Sequence, residues 1–451
     1  MMEERIGEWR SYARRRQAID GMDVDELEDH LRTQVSELKE AGLDEEEAFL
    51  IAVKRLGDLD SLSREYAHEY SERLWKRLVV APEALEGGLE WGKEGMVAVG
   101  LAVAAGVAIK LPELLGLSLL DGTELTQSFY MRNTSLFVLP LLAVFFAWKR
   151  GLESAGRLWL AAPFIVAALV MNLLPFTLLG DTEVLAVLHL PMALWLAVGV
   201  AYAGGRWRDH HRRMNYVRFS GEWLIYFALI AAGGGVLMGI TGVIFGAIGL
   251  DLELFLTSWV IPCGAMGAII IAGWLVEAKQ SVIENMAPVL TLLFTPLFTL
   301  MLLVFLGTMV WTGSSVDMER EVLIGFDLLL VLVVALLLYA ISARDPQAEP
   351  GLFDGLQLLL VICALLVDAL ALWAILARIS EFGFTPNRVA ALGENLILVV
   401  NLGWSAVLYY RFLRRQVGLT PLERWQTAYL PVYAVWAWVV VVLFPLVFGF
   451  Q

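Results

Sequence analysis

The chain has 451 residues, 58% hydrophobic and 18% charged, with a formal net charge of -14 and a mean hydropathy of +0.67. A soluble protein of this size has too little core to hide so much apolar surface, and the apolar residues come in uninterrupted runs of membrane-spanning length. The acidic balance, with no basic cluster in the polar part, argues against nucleic acid as a partner. Cys263 and Cys363 both fall inside apolar runs and offer neither a disulfide framework nor a metal pair.

The expected fold class is all-α. A small cytoplasmic bundle of three to four helices, residues 1–80, precedes a polytopic membrane domain of about eleven transmembrane helices, residues 81–451. The opening MMEERIGEWRSYARRR lacks the apolar core of a signal peptide, so the N-terminus is expected to stay unexported. After a first helix near residues 4–17, Asp23 and Glu26 read as a capping box, in which side chains satisfy helix-start amides. Leu27, Leu31, Val35 and Leu38 then recur at spacings of four, four and three, which is one apolar stripe, and Gly42 stops the helix. Asp44 and Glu47 open the next, with Ala48, Ile51, Ala52 and Leu56 facing inward; Leu62, Tyr66, Tyr70 and Leu74 mark a last one. Such short helices are marginal alone, so their faces must pack together.

The pattern ELEDHLRTQVSELKEAGLDEEEAFLIAVKRLGDLDSLSREYAHEY resembles the prefix domain found before bacterial permease-type membrane regions, also described as a helical signalling domain. The matching residues are Glu26–Leu27, His30–Leu31, Gly42, Glu46–Glu47–Ala48, Ala52, Leu56–Gly57 and Tyr66. The resemblance covers about 60 residues and implies a cytoplasmic module that binds a protein partner. His30 reads as a solvated or half-buried helix histidine.

At about 20 residues per crossing, eleven apolar runs follow, centred near Val103, Leu141, Val166, Leu194, Gly235, Gly267, Leu300, Val333, Leu365, Val399 and Val439. Lys149, Arg150 and Arg157 follow the second run, Arg206, Arg208, Arg212, Arg213 and Arg218 the fourth, and Arg411, Arg414 and Arg415 the tenth. The alternate loops are acidic or bare. By the positive-inside rule the N-terminus lies in the cytoplasm of a bacterial inner membrane and the last helix ends outside. The turn at 379–388 fits poorly, since it holds Arg378 and Arg388 beside Glu381; a re-entrant or buried turn would explain it, and so would a miscounted crossing.

In the fifth run Gly235, Gly239, Gly242, Gly246 and Gly249 share a helix face, which reads as a close-packing surface, or alternatively a sliding one. Pro262 and Pro296 interrupt helix hydrogen bonds in mid-membrane, with Thr291, Thr295 and Thr299 as a polar stripe around the second.

Ionisable residues at membrane depth weigh most, because burying a charge in lipid costs at least a few kcal/mol. Asp368 lies near the middle of its run and reads either as a structural acid or as a proton, ion or ligand site. Asp327 lies within two turns of a run's start, and Glu394, Asn401 and Ser405 share a face of the tenth helix at i, i+7 and i+11. These, with Arg388 in the turn, are the candidate pathway residues; His189 and Asn172 are further isolated polar positions. In the turn FGFTPNRV, Pro386 fixes the bend, Thr385 is placed to cap the next helix, and Arg388 to pair with Glu381 or a lipid phosphate.

That turn, with its flanking helices, is similar to bacterial membrane proteins grouped as domain-of-unknown-function family 4153. There a helix, a short Asn-Arg turn and a helix recur in the C-terminal half; the resemblance implies a class and no activity.

No phosphate loop, His-Glu-x-x-His, Gly-x-Ser-x-Gly or Cys-x-x-Cys motif occurs, so no enzymatic reaction, metal or cofactor is expected. His210 and His211 read as part of a positive, lipid-facing patch. The first functional reading is a membrane-embedded sensor or regulator whose N-terminal bundle binds a partner. The alternative is a secondary transporter with a polar pathway around Asp368 and Asn401. A membrane enzyme acting on lipid-linked substrates ranks last.

Overall fold

The computed structural model describes residues 92–118, 122–248, 250–278, 286–312, 320–344 and 349–451, together with 28, 31–36, 38, 39, 44 and 52. The chain divides into two units, Met1–Gly92 and Lys93–Gln451. In the first, Leu31, Val35 and Leu38 are buried, on the predicted stripe, and so is Ala52. Most of the predicted bundle, with its caps at Asp23 and Glu26, lies outside the described residues.

In the second unit eleven helices, among the described residues, are long and apolar enough to cross a membrane, one over each predicted run. They are α1 (Lys93–Lys110), α2 (Glu124–Lys149), α3 (Ser154–Leu173), α4 (Asp181–Tyr202), α5 (His210–Ala247) and α6 (Glu253–Ala278). Then come α7 (Met286–Thr312), α8 (Arg320–Ala343), α9 (Leu352–Phe382), α10 (Pro386–Leu413) and α11 (Thr420–Val447). No strand occurs among the described residues.

Local chemistry sets the helix ends. Thr123 caps α2 and Asp209 caps α5, each side chain accepting a helix-start amide. Two π-helical turns, Leu256–Val260 in α6 and Val439–Leu443 in α11, lie just ahead of Pro262 and Pro445. A proline withholds its N–H and its ring crowds the carbonyl four residues back, and the wider turn relieves both. Between α9 and α10 the connection is three residues long: Gly383 takes φ +77°, Thr385 accepts the Arg388 amide at 3.4 Å, and Pro386 opens α10. Residues 381–384 are exposed, Ile379 and Pro386 on either side of them are buried, and both helices run unbroken to the bend.

The helices form two apolar cores. The first gathers α1–α4, the start of α5 and α6 around Leu142, Phe146, Leu194, Phe219 and Ile270. The second gathers α7–α10 around Leu330, Leu337, Val367 and Leu402. A small third cluster joins them, where Leu185 of α4 and Ala390 of α10 meet Val440 and Phe444 of α11. Lipid tails are as apolar as leucine, so close packing and interhelical hydrogen bonds hold such a seam. Gly393 makes the closest approach there: a Cβ would stand 2.0 Å from the Trp436 ring.

The glycine face of α5 does not behave as predicted. A Cβ at Gly235, Gly239 or Gly246 would meet nothing within 4 Å, and Val236, Leu237, Ile240 and Val243 are exposed. On the same face, a Cβ at Gly242 would come 4.0 Å from the Leu256 side chain of α6. The threonine stripe of α7, by contrast, turns inward: Thr295 and Thr299 are buried, Thr299 donates to the Thr295 carbonyl at 2.7 Å, and Gln357 of α9 donates to the Thr295 hydroxyl at 3.2 Å.

Candidate functional site

At the seam, polar side chains from α4, α8 and α10 meet at one depth. His189 lies eight residues into α4, Glu394 eight into α10 and Asp327 seven into α8. At about 1.5 Å per residue these are about 10–12 Å from the helix starts. All three helices are even-numbered in an alternating bundle and therefore start on the same side. Asp368, fourteen residues before the end of the oppositely running α9, lies about 21 Å from that side, one layer deeper.

The contacts are specific. His189 Nδ1 lies 2.8 Å from the Leu185 carbonyl, and Nε2 lies 2.5 Å from Glu394 Oε1. The neighbouring Asn395 donates from Nδ2 to Asp327 Oδ1 at 2.7 Å and to the Ala391 carbonyl at 2.8 Å. Asp327 in turn lies within electrostatic reach of both Glu394 and Asp368. The Glu394 side chain is 28% accessible and Asp327 is partly buried, while His189 at 6% and Asn395 and Asp368 at 0% are buried.

Proton accounting follows from the geometry. A carbonyl only accepts, so His189 Nδ1 carries a hydrogen toward Leu185. The short Nε2–Oε1 contact then needs one more proton between the rings' second nitrogen and the carboxyl. The pair is therefore either imidazolium with carboxylate or imidazole with carboxylic acid, and in both states it holds that proton. Asp368 presents the complementary situation. It is fully buried, and neither carboxyl oxygen has a protein hydrogen-bond partner; the amide oxygens of Asn395 and Gln357 are likewise buried and unpartnered. Full ionisation of Asp327, Asp368 and Glu394 would set three negative charges against one imidazolium, at a cost of several kcal/mol for each charge left uncompensated in low dielectric. The cluster is thus a set of acceptors in need of protons or a cation.

The sequence candidates do not all belong to this cluster. Asp327, Asp368 and Glu394 do. Asn401 and Ser405, although on the Glu394 face of α10, join a separate knot with α11. There Asn401 Nδ2 donates to Tyr433 Oη at 2.5 Å, Gln426 Nε2 donates to Asn401 Oδ1 at 2.8 Å and to Ser405 Oγ at 2.6 Å, and Ser405 donates to the Asn401 carbonyl at 2.7 Å. Every polar atom in it is used within the protein, which is what a structural clamp looks like. Arg388 is a third, separate feature. Its guanidinium donates to the Phe382 and Gly383 carbonyls at 3.0 and 2.8 Å and lies over the Phe382 ring, so it closes the end of α9 rather than pairing with Glu381.

Several buried polar residues carried no signal. Asn395 stands beside Glu394 and reads as an ordinary helix amide until its partner on α8 is known. Glu183 sits at the start of a run like any loop acid. It is 1% exposed, contacts Arg132 at 2.5 Å, accepts the Leu179 amide at 2.6 Å and receives the Ser128 hydroxyl. The buried Asn133 is another, and its partner is Asn172, the isolated polar position read from the sequence, with which it exchanges two amide hydrogen bonds at 2.9 and 3.0 Å. Among the described residues one group has metal-compatible donors, His210, His211 and Glu423, whose ligand atoms lie within 4.8 Å of one another. It stands at the start of α5, beside the charges of Arg212 and Arg213, and takes no part in the seam cluster.

No protein-family model, no curated protein and no solved structure matches this chain.

Proposed function

We propose that the membrane domain is a proton-coupled permease whose coupling site is the cluster of His189, Glu394, Asn395, Asp327 and Asp368. The observation that carries this reading is the His189–Glu394 contact of 2.5 Å, because its geometry obliges the pair to keep a proton at the seam between the two helix cores. The partly accessible Glu394 is the point of exchange, and Asp327 and the buried Asp368 are successive acceptors toward mid-membrane. Movement at the seam would alter which side reaches Glu394. In this reading the membrane is the bacterial inner membrane, with the Lys- and Arg-rich loops and the N-terminus in the cytoplasm. No enzymatic reaction is assigned.

The test is proton flux into vesicles holding the purified chain and an internal pH-sensitive dye, under an imposed membrane potential. The wild-type chain should acidify the lumen, and Glu394→Gln and Asp368→Asn should not. Equal flux in all three would remove the proposal.

A regulatory role for residues 1–80 is a second reading. It is supported by the amphipathic stripe on which Leu31, Val35 and Leu38 are buried and by the resemblance to permease-prefix domains. The full chain should capture a cytoplasmic protein that the same chain lacking residues 1–80 does not. Equal capture by both would end this reading and leave the permease proposal standing.

A further inference from the structure

At the opposite end of the membrane domain, where α2, α4 and α6 finish and α5 begins, a cavity of about 440 Å³ opens between the helices. Three guanidiniums, those of Arg150, Arg212 and Arg218, line it, with Asn215, Tyr202 and the acid Glu222. Each arginine is held by the fold. Arg150 donates to both Glu277 oxygens at 2.9 Å and lies over the Tyr202 ring at 4.9 Å. Arg212 donates to the Ala203 carbonyl at 3.0 Å, and Arg218 donates from Nε to the Ser342 carbonyl at 3.1 Å. Acids stand close by: Glu222 in the wall, Glu277 on Arg150 and on Lys149 at 3.2 Å, Asp209 on Arg212 at 3.7 Å and Glu94 on Lys149 at 2.7 Å, so the charges around the cavity balance.

We infer that this cavity binds a phosphodiester monoanion, the headgroup of an anionic phospholipid from the leaflet that adjoins it. Arg218 is fixed by the neutral Ser342 carbonyl, which leaves it donors for phosphate oxygens, and the planar forks of the three arginines match that geometry. Phe219 and Val276 complete the wall and offer the glycerol and first acyl carbons an apolar surface. A basic pocket between helices at the membrane boundary is the general form of a lipid-headgroup site. This site is remote from the seam cluster and does not depend on the permease reading.

The experiment is native mass spectrometry of the full chain in detergent, titrated with phosphatidylglycerol or phosphatidylcholine, with inorganic phosphate as a competing arm. The wild-type chain should retain one phosphatidylglycerol in preference to phosphatidylcholine. The double variant R212Q/R218Q should lose it, with binding about tenfold weaker, while R218K and R157Q, a change of an exposed arginine at the same end, should keep it. Displacement by millimolar phosphate, with no lipid retained, would assign the same site to the soluble anion. Equal binding of the two lipids by the wild-type chain, or unchanged binding by R212Q/R218Q, would overturn the inference. The first of these outcomes is read on the wild-type chain and does not depend on how the variants fold.

Discussion

His189 Nε2 and Glu394 Oε1 lie 2.5 Å apart although 205 residues separate them, and they join α4 of the first core to α10 of the second. Because His189 Nδ1 is committed to Leu185, this contact carries a proton in every state that preserves it. The two cores are thus linked through a hydrogen bond between two ionisable side chains.

Removing one member of this pair should cost more than removing both. A lone buried acid or imidazole at the seam keeps its desolvation penalty without its partner, so Glu394→Ala or His189→Ala should each destabilise by about 3 kcal/mol. The double variant should fall well short of their sum. Denaturation of the four chains in detergent measures the coupling, and strict additivity would mean that the contact has no energetic content.

Asp368→Asn should leave the melting temperature unchanged or raise it, and Asp368→Leu should raise it further. Neither carboxyl oxygen has a protein partner, so the substitutions remove a buried polar burden and break no bond. A structural acid would behave oppositely, each change costing about 1–3 kcal/mol. Thermal unfolding followed by tryptophan fluorescence separates the two.

Gly393→Ala should destabilise the α10–α11 contact by about 1–3 kcal/mol, since its Cβ would stand 2.0 Å from the Trp436 ring. A compensating Trp436→Leu should restore part of the loss. Failure of the second change to help would show that the ring does not set the spacing of these helices.

Asn401→Leu should reduce stability by about 1–3 kcal/mol and leave proton flux intact, because the Gln426, Ser405 and Tyr433 groups it serves form a clamp apart from the seam cluster. Loss of flux with normal stability would place Asn401 in the pathway instead.

The helices themselves were legible. Eleven runs of apolar residues are a signal of composition and length, and the Thr385-Pro386 start and the Gly383 bend announce the α9–α10 turn through local chemistry. What each polar residue touches was not. Glu394, Asn401 and Ser405 share a face by spacing, yet that face meets α4 at one level and α11 at another, so one stripe serves two unrelated clusters. Spacing within a helix reveals direction and says nothing of the neighbour. The glycine face of α5 shows the same limit from the other side: small residues permit close approach, yet of Gly235, Gly239, Gly242 and Gly246 only Gly242 has a neighbour within 4 Å, Leu256 of α6.

The most direct test of the central claim is infrared difference spectroscopy of the chain in lipid bilayers, following the carboxylic-acid carbonyl band as pH is stepped. The wild-type chain should show protonated-carboxyl bands that titrate reversibly, one component vanishing in Glu394→Gln and another in Asp368→Asn, with the Glu394 component shifted in His189→Gln. A titrating band identical in the wild-type chain and all three variants would contradict the account, because the proton would then reside elsewhere.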